Sequence, residues 1–182
     1  MAPRIVNVAA SSEQIIQDMT DTTVLQSSTW TTGAGSLSLN STDPNINGVA
    51  RLLNPSRLKN GSILEFPSLL TVPQYVANGW ISVKFPAVTI QSGDRFKTTY
   101  ACQYDTISCN AGFLLQYQEG ANSPVYISTF YRSDQNPDAT ATNIDLSYLA
   151  GKSVNIILKT VNDGTLYAPN RALWIYPRIV RP

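Results

Sequence analysis

The sequence contains no histidine and only two cysteines among its 182 residues. Without histidine the chain cannot build a Ser-His-Asp or Cys-His catalytic pair, or use an imidazole as a general base. Two cysteines alone cannot complete a four-ligand zinc site of thiolates and imidazoles. The sequence has no Gly-x-x-x-x-Gly-Lys phosphate loop, and Gly33-Ala34-Gly35 lacks the later glycine of a dinucleotide-binding loop.

A pair of carboxylates for glycoside hydrolysis is the remaining catalytic option. Most of the 12 Asp and Glu residues, however, stand beside turn residues. Asp43 precedes Pro44 and Asp163 precedes Gly164, which favours bonding to the local backbone. We therefore expect no enzymatic activity.

Charge and long apolar runs are scarce as well. Charged residues make up 14% of the chain, and 13 basic against 12 acidic residues leave a net charge of +1. Because no run of Lys and Arg forms the basic stripe that phosphate contacts require, nucleic-acid binding is not expected. No apolar segment approaches the roughly 20 residues of a membrane span, and Met1 to Val8 lacks the apolar core of a signal peptide.

What the sequence does contain is a repeated alternation of apolar and polar residues, interrupted by turn residues, which is typical of half-buried strands. Asn60-Gly61 adds a strong hairpin signal. The pattern predicts an all-β protein of about nine or ten strands, a β-sandwich or jelly roll. Strands are expected at 22–31, 48–53, 81–85, 95–100, 113–117, 125–129, 144–148, 154–158 and 171–180.

The N-terminal segment differs from the rest. Residues 9–20 have the only helical character in the chain, with Ser12 as a possible cap. The expected division is an N-terminal extension or linker at 1–20 and a single β-sandwich domain at 21–182.

The two cysteines, Cys102 and Cys109, are seven residues apart. This spacing fits two arms of a hairpin joined across its loop by a disulfide, which would place the protein in an oxidising compartment. The alternative is two reduced and buried cysteines in a cytosolic protein.

Three segments resemble a known module of bacterial extracellular proteins. They are Gly93-Asp94-Arg95-Phe96-Lys97-Thr98, Asn110-Ala111-Gly112-Phe113 and the ending Asn170 to Ile179, which contains Trp174. The chain is similar to the galactose-binding-like jelly-roll superfamily, and in particular to carbohydrate-binding modules that are often appended to glycoside hydrolases. The resemblance covers roughly 22–180 and implies a jelly roll that binds carbohydrate.

Carbohydrate binding requires aromatic faces for the C–H surfaces of sugar rings and planar polar groups for their hydroxyls. Loops of such a jelly roll crowd one end of the sandwich, where several of these groups could converge. The candidate ligand-binding residues are Trp30, Trp80, Tyr104, Tyr131, Arg132, Asp134, Asn170 and Arg171. Each has a structural alternative: the two arginines could pair with carboxylates, and the aromatics could pack in the core, as we expect for Trp174.

The resemblance also implies a structural calcium ion, which needs six to eight oxygen ligands. Asn40, Asp43 and Asn45 could supply some of them, and so could the set Asp134, Asn136 and Asp138. Both sets are also ordinary turn sequences, and no other cofactor is expected.

Two functions follow from these observations. The first is a non-catalytic carbohydrate-binding or lectin-like domain of an extracellular or cell-surface protein. The alternative is a structural or adhesive surface or filament domain, in tandem or self-associating, which binds protein copies instead of sugar. The first should expose Trp30, Trp80 or Tyr104 in a concave cluster of loops. The second should bury those residues at a self-interface or expose an unpaired edge strand.

Overall fold

The computed structural model of this protein contains two large antiparallel sheets that pack against each other. The structure describes residues 13–104, 106, 109–132, 138–163 and 169–182. A short helix, α1, spans Thr22–Gln26, and a single turn of 3-10 helix spans Ser147–Leu149. The described strands are Gln14–Asp18 (β1), Thr29–Thr32 (β2), Gly35–Leu37 (β3), Val49–Leu53 (β4), Ser56–Arg57 (β5), Ile63–Leu64 (β6), Ser68–Val72 (β7), Trp80–Lys84 (β8), Val88–Thr89 (β9), Arg95–Cys102 (β10), Ala111–Gln118 (β11), Val125–Arg132 (β12), Thr140–Asp145 (β13), Ser153–Asn162 (β14) and Ala172–Arg181 (β15).

Sheet A has the strand order β13-β10-β15-β7-β4, and β1 pairs with the C-terminal half of β15. Sheet B has the order β12-β11-β14-β8-β2-β3, with β9 paired to the start of β14. The hairpin β5-β6 forms a separate two-stranded sheet. Its Leu58 and Leu64 pack with Leu70 and Leu173 on the outer side of sheet A, so one side of that sheet is partly covered.

The main core lies between the two sheets. It contains Phe96 and Trp174 from sheet A and Phe113 and Leu158 from sheet B, all of them fully or almost fully buried. The inward residues alternate with outward ones along each long strand, since successive side chains of a strand point to opposite faces. This alternation confirms the predicted all-β sandwich.

The predicted number of strands was wrong, because the described residues alone form 15 strands instead of nine or ten. The additional strands include β3, β5, β6 and β9, which have two or three residues each and are too short to show alternation. The longer β7, Ser68–Val72, was missed for a different reason. All five of its residues are buried, so no polar residue alternates with an apolar one.

The N-terminal segment was also predicted incorrectly. Residues 14–18 of the expected helical segment form β1, which pairs with β15, so sheet A begins before the expected domain boundary at residue 21. Residues 9–12 lie outside the described residues. The partner strand supplies hydrogen bonds that the local sequence does not reveal, a tertiary effect that overrides weak propensity.

The expected strand at 22–31 is instead the helix α1 followed by β2. The Asp21 carboxylate caps the helix by accepting hydrogen bonds from the Thr23 and Val24 amides, at 2.8 and 3.1 Å. The strand expected at 144–148 likewise ends at Asp145 in the structure. There the Asp145 carboxylate accepts from the Ser147 amide at 2.8 Å, and this short turn starts the 3-10 helix.

Cys102 and Cys109 are joined by a disulfide, and both are fully buried. This outcome is the first of the two alternatives left open by their spacing. The disulfide closes the loop that follows β10. In the described part of the chain, neither helix has the length and apolar character to cross a membrane.

Candidate functional site

The outer face of sheet B carries the best candidate site. We call it the sheet B face, and it consists of the outward side chains of β12, β11, β14 and β8. On β8, Ile81 and Val83 belong to the core, so Trp80, Ser82 and Lys84 point outward. Among the described residues, no hairpin of the kind that packs on sheet A covers this face.

One cross-strand row of this face places two aromatic rings on either side of small residues. Tyr131 pairs with Gly112, Gly112 with Val161, and Val161 with Trp80. Three strand spacings separate the backbones of Tyr131 and Trp80 by about 14 Å. Tyr131 is 58% exposed and Trp80 is half-buried. The row therefore carries an aromatic side chain at each end, and the Tyr131 ring leans over Gly112.

Gly112 makes room for the Tyr131 ring on this face. A Cβ atom at this position would lie 2.8 Å from a methyl carbon of Val161 and 3.3 Å from Cε1 of Tyr131. The first distance is a steric clash, so a larger residue would displace the neighbouring side chains. The Tyr131 ring lies across the sheet in the space that the glycine leaves open.

A cation lies over one of the two rings. The Nζ atom of Lys159 is 4.6 Å from the ring centroid of Trp80, within the range of a cation–π interaction. Burial lowers the pKa of the Lys159 ammonium below its usual value, because desolvation disfavours the charged form. The two residues form a joined aromatic and cationic surface.

The rest of the sheet B face combines the apolar residues Leu114 and Ile157 with the polar residues Gln116 and Ser82. Gln116 is almost fully buried within it, and the hydroxyls of Thr31 and Ser82 are hydrogen-bonded at 3.0 Å. Aromatic surfaces beside amide and hydroxyl groups suit a ligand with both C–H surfaces and hydroxyls. Of the eight predicted ligand residues, this face brings together Trp80 and Tyr131.

Trp30 is placed differently from the prediction. It is only 3% exposed and packs in the main core, so its ring is not available on a loop surface. Its side chain borders a cavity of about 430 Å³ beneath α1 and β3. Thr29–Thr32 is an inner strand of sheet B, paired with β3 on one side and with β8 on the other. Because successive side chains of a strand point to opposite faces, every second residue of β2, including Trp30, faces the core.

Asn170 and Arg171 make internal contacts instead of forming an open loop. Asn170 is 2% exposed, accepts from the Asn110 amide at 2.8 Å and donates to the Asn110 carbonyl at 2.7 Å. Arg171 donates two hydrogen bonds to the Asp43 carboxylate, at 3.0 and 2.6 Å. The Arg171 hydrogen bond and charge hold the pKa of that carboxyl below its usual value, although burial opposes the shift.

Arg132 and Tyr104 also have protein partners. Arg132 is 5% exposed and its guanidinium lies 4.3 Å from the ring centroid of Tyr100. The Tyr104 ring is covered by the Arg57 guanidinium at 3.5 Å. Asp134 lies outside the described residues. The predicted convergence of these loop residues on one site is not seen among the described ones.

The first predicted calcium set is occupied by protein groups. The Asn40 and Asn45 side chains accept from the Leu52 and Asn47 amides, and Asp43 is held by Arg171. Asp138 is the only described member of the second set, and it accepts from Asn60. Among the described residues, no group of three His, Cys, Asp or Glu side chains could hold a metal ion. Calcium binding stays a prediction.

Gly112 and Lys159 were missed as site residues. The register places them in neighbouring strands, between the two predicted aromatics. In the sequence, Lys159 has the ordinary position of a polar residue in an alternating strand. The only available signal was that Gly112 interrupts the bulky residues of its strand.

Comparisons with known proteins find similarity in structure only. No protein-family model matches the sequence, and no curated protein matches it significantly. A structure of TmCBM61 in complex with β-1,4-galactotriose matches 93% of this chain and 99% of its own, with 9% identity and a TM-score of 0.52. The CBM22-1 xylan-binding domain of Paenibacillus barcinonensis Xyn10C matches 94% and 96%, with 14% identity and a TM-score of 0.50.

In another matched structure, this chain corresponds to only a part of the matched chain. It spans 21% of the matched chain in the glycoside hydrolase domain structure of Endo-D from Streptococcus pneumoniae R6, with 10% identity, 84% coverage of this chain and a TM-score of 0.49. At these identities the likeness to solved structures shows the fold. The chain has the jelly-roll β-sandwich fold of carbohydrate-binding modules.

Proposed function

We propose that this protein is a non-catalytic carbohydrate-binding domain and that the sheet B face is its binding surface. The observation that carries the proposal is the row in which Trp80 and Tyr131 stand at the two ends, separated by Gly112 and Val161. A glycan lying along this row could stack its sugar rings on the aromatic side chains. The exposed Thr129 hydroxyl and the half-buried Ser82 hydroxyl could then bind sugar hydroxyls.

The fold supports the same function, since the matched structures of similar length are carbohydrate-binding modules. Fold similarity alone does not define a ligand, which is why the proposal depends on the aromatic row. The protein is further proposed to work outside the cell, because its Cys102–Cys109 disulfide is the kind of bond that persists in oxidising compartments.

Truncating either ring of the row should abolish selective glycan binding. We expect Trp80→Ala and Tyr131→Ala each to weaken binding about tenfold or more, the size typical of losing an aromatic anchor. A glycan array identifies the glycan, and titration calorimetry measures the affinities of the wild type and the variants.

Tyr104→Ala is the matched control, because Tyr104 lies in a loop under Arg57 and away from the sheet B face. It should bind like the wild type. The proposal is contradicted if the folded wild-type protein binds no glycan, or if Tyr104→Ala loses binding while the two face variants retain it.

A second function is favoured by the edge of sheet B. Within the described residues, β12 has no partner on its outer side. Val125, Tyr126 and Tyr131 of this strand are 46%, 61% and 58% exposed, and it carries no charge before Arg132. Proteins usually protect such an edge with Lys or Pro. The edge could therefore pair with β12 of a second copy and extend the sheet.

Adding a charge to this edge should prevent such pairing. If two copies pair, the wild type should dimerise with increasing concentration in sedimentation velocity experiments, and Thr129→Lys should remain monomeric. Thr140→Lys is the control, since Thr140 is an exposed residue of β13, the edge strand of sheet A. A wild type that remains monomeric up to about millimolar concentration would argue against assembly through β12.

A further inference from the structure

The sheet B face carries charge of only one sign. Among the outward positions of its described strands, the charged side chains are Lys84 and Lys159, and there is no Asp or Glu. The nearby Glu119 follows the end of β11 and is paired with Lys152 at 3.0 Å. Asp163 follows the end of β14 and is exposed, so both acidic groups lie at the ends of the strands.

Within the part of the chain that the structure describes, Lys159 is a cation without an anionic partner. No ion pair of the described residues includes it, and its polar contact is the face of the Trp80 ring. It is also partly desolvated, which lowers its pKa. A partly buried charge is ordinarily paired, because desolvation costs free energy that a counter-charge offsets. A ligand that brings an anionic group beside Trp80 would supply that pair.

The position of this cation relative to the aromatic row defines the ligand chemistry. Lys159 pairs with Ser82 in the row adjacent to Trp80 and Val161. A sugar ring stacked near Trp80 would therefore bring its substituents toward the Lys159 ammonium. Neutral hydroxyls alone would leave that charge unpaired, whereas a carboxylate accepts a charge-assisted hydrogen bond from it.

We infer that the ligand of the sheet B face is an acidic glycan, a polysaccharide with uronate carboxylates, and that Lys159 binds a carboxylate. This inference rests on the proposed carbohydrate-binding function. Lys84 lies on the same face, with Ile157 between it and Gln116 in their row. It adds a second positive charge and favours a ligand with repeated carboxylates.

The test compares polygalacturonate with its fully methyl-esterified form and with neutral galactan, using titration calorimetry at low and high salt. The wild type should bind polygalacturonate about tenfold more tightly than the ester. This is the size expected for one charge-assisted hydrogen bond. Lys159→Gln should reduce this preference to less than about twofold, because the ammonium that binds the carboxylate is lost. The preference should also fall in 0.5 M NaCl, because salt screens partly exposed charges.

Lys152→Gln is the matched control, because that lysine lies at the end of the sheet and is paired with Glu119. It should keep the preference for polygalacturonate, and far-ultraviolet circular dichroism should show that both variants are folded. Equal or tighter binding of the ester, unaffected by Lys159→Gln but lost in Trp80→Ala, would overturn the acidic ligand and leave the carbohydrate-binding function intact. Binding of no glycan at all would overturn both.

Discussion

Replacing Arg181 with methionine should lower the free energy of unfolding by about 3 kcal/mol, because it leaves a buried carboxylate without its partner. Arg181 donates to both oxygens of Asp94, at 2.7 and 2.8 Å, and the Asp94 side chain is fully buried. For a chain of this size the melting temperature should fall by about 6–12 °C. Thermal unfolding followed by circular dichroism measures the change.

The ion pair between Arg181 and Asp94 has this large effect because of its position in the fold. Arg181 is the last residue of β15, and Asp94 immediately precedes β10. Asp94 also accepts from the Gln91 amide at 2.7 Å, and its carbonyl accepts from the Leu146 amide at 2.9 Å. The side chain therefore fixes one end of the central strand pair of sheet A.

The effect of Arg181→Met should depend on pH. Burial by itself raises the pKa of the Asp94 carboxyl, but the Arg181 and Gln91 hydrogen bonds and the arginine charge outweigh burial, so that the pKa lies below the ordinary 3.8. A lowered folded-state pKa contributes stability above the unfolded-state pKa, and this contribution is lost as the pH falls through the folded-state value. The difference in the free energy of unfolding between wild type and variant should thus have its full size at pH 7 and should decrease below about pH 4.

Arg178→Met provides the control for this prediction. Arg178 is on the same strand, and its hydrogen bond goes to the backbone carbonyl of Tyr176 at 2.9 Å. Losing this hydrogen bond should lower the free energy of unfolding by less than about 1 kcal/mol. Equal losses in the two variants, or a loss in Arg181→Met that stays constant down to pH 3, would show that the buried Asp94 carboxylate is not the cause.

The sandwich could be predicted from the sequence because its long strands are half-buried. In Arg95–Cys102, for example, buried and partly exposed residues alternate over the first six positions, and this period of two is visible without a structure. The same reasoning failed for Ser68–Val72 and for Gln14–Asp18. Their burial and pairing depend on partners more than 100 residues away, in β15.

The candidate site was only partly predictable. Alternation shows that a strand has two faces, but it does not show which face meets the other sheet. Trp30 and Trp80 therefore looked equivalent in the sequence, although the first is in the core and the second on the sheet B face. Asn170 looked like a loop ligand because its partner, Asn110, is 60 residues away.

Trp174→Ala should be the most destabilising single change in the core, with a loss of about 4 kcal/mol and a melting temperature lower by about 8–16 °C. The Trp174 side chain is fully buried, and its ring meets Phe113 of the opposite sheet at 5.1 Å between centroids. Removing it leaves a cavity between the two sheets and ends one of the aromatic contacts between them. Thermal and urea unfolding measure the loss.

The indole of Trp174 also takes part in a buried hydrogen-bond chain between the sheets. Its Nε1 donates to the Thr160 hydroxyl at 3.1 Å, and that hydroxyl is bonded to the Thr71 hydroxyl at 2.8 Å. Trp174→Phe keeps an aromatic ring but removes this donor. Because Thr71 still satisfies Thr160, we expect Trp174→Phe to cost about half as much as Trp174→Ala.

Trp80→Ala separates the role of the core tryptophan from that of the surface one. Trp80 is half-buried on the sheet B face, so its removal should change the free energy of unfolding by about 1 kcal/mol while it removes glycan binding. If Trp80→Ala destabilised the protein as much as Trp174→Ala, its loss of binding would reflect unfolding. A stable Trp80→Ala variant that no longer binds glycan would instead assign the ring to the ligand.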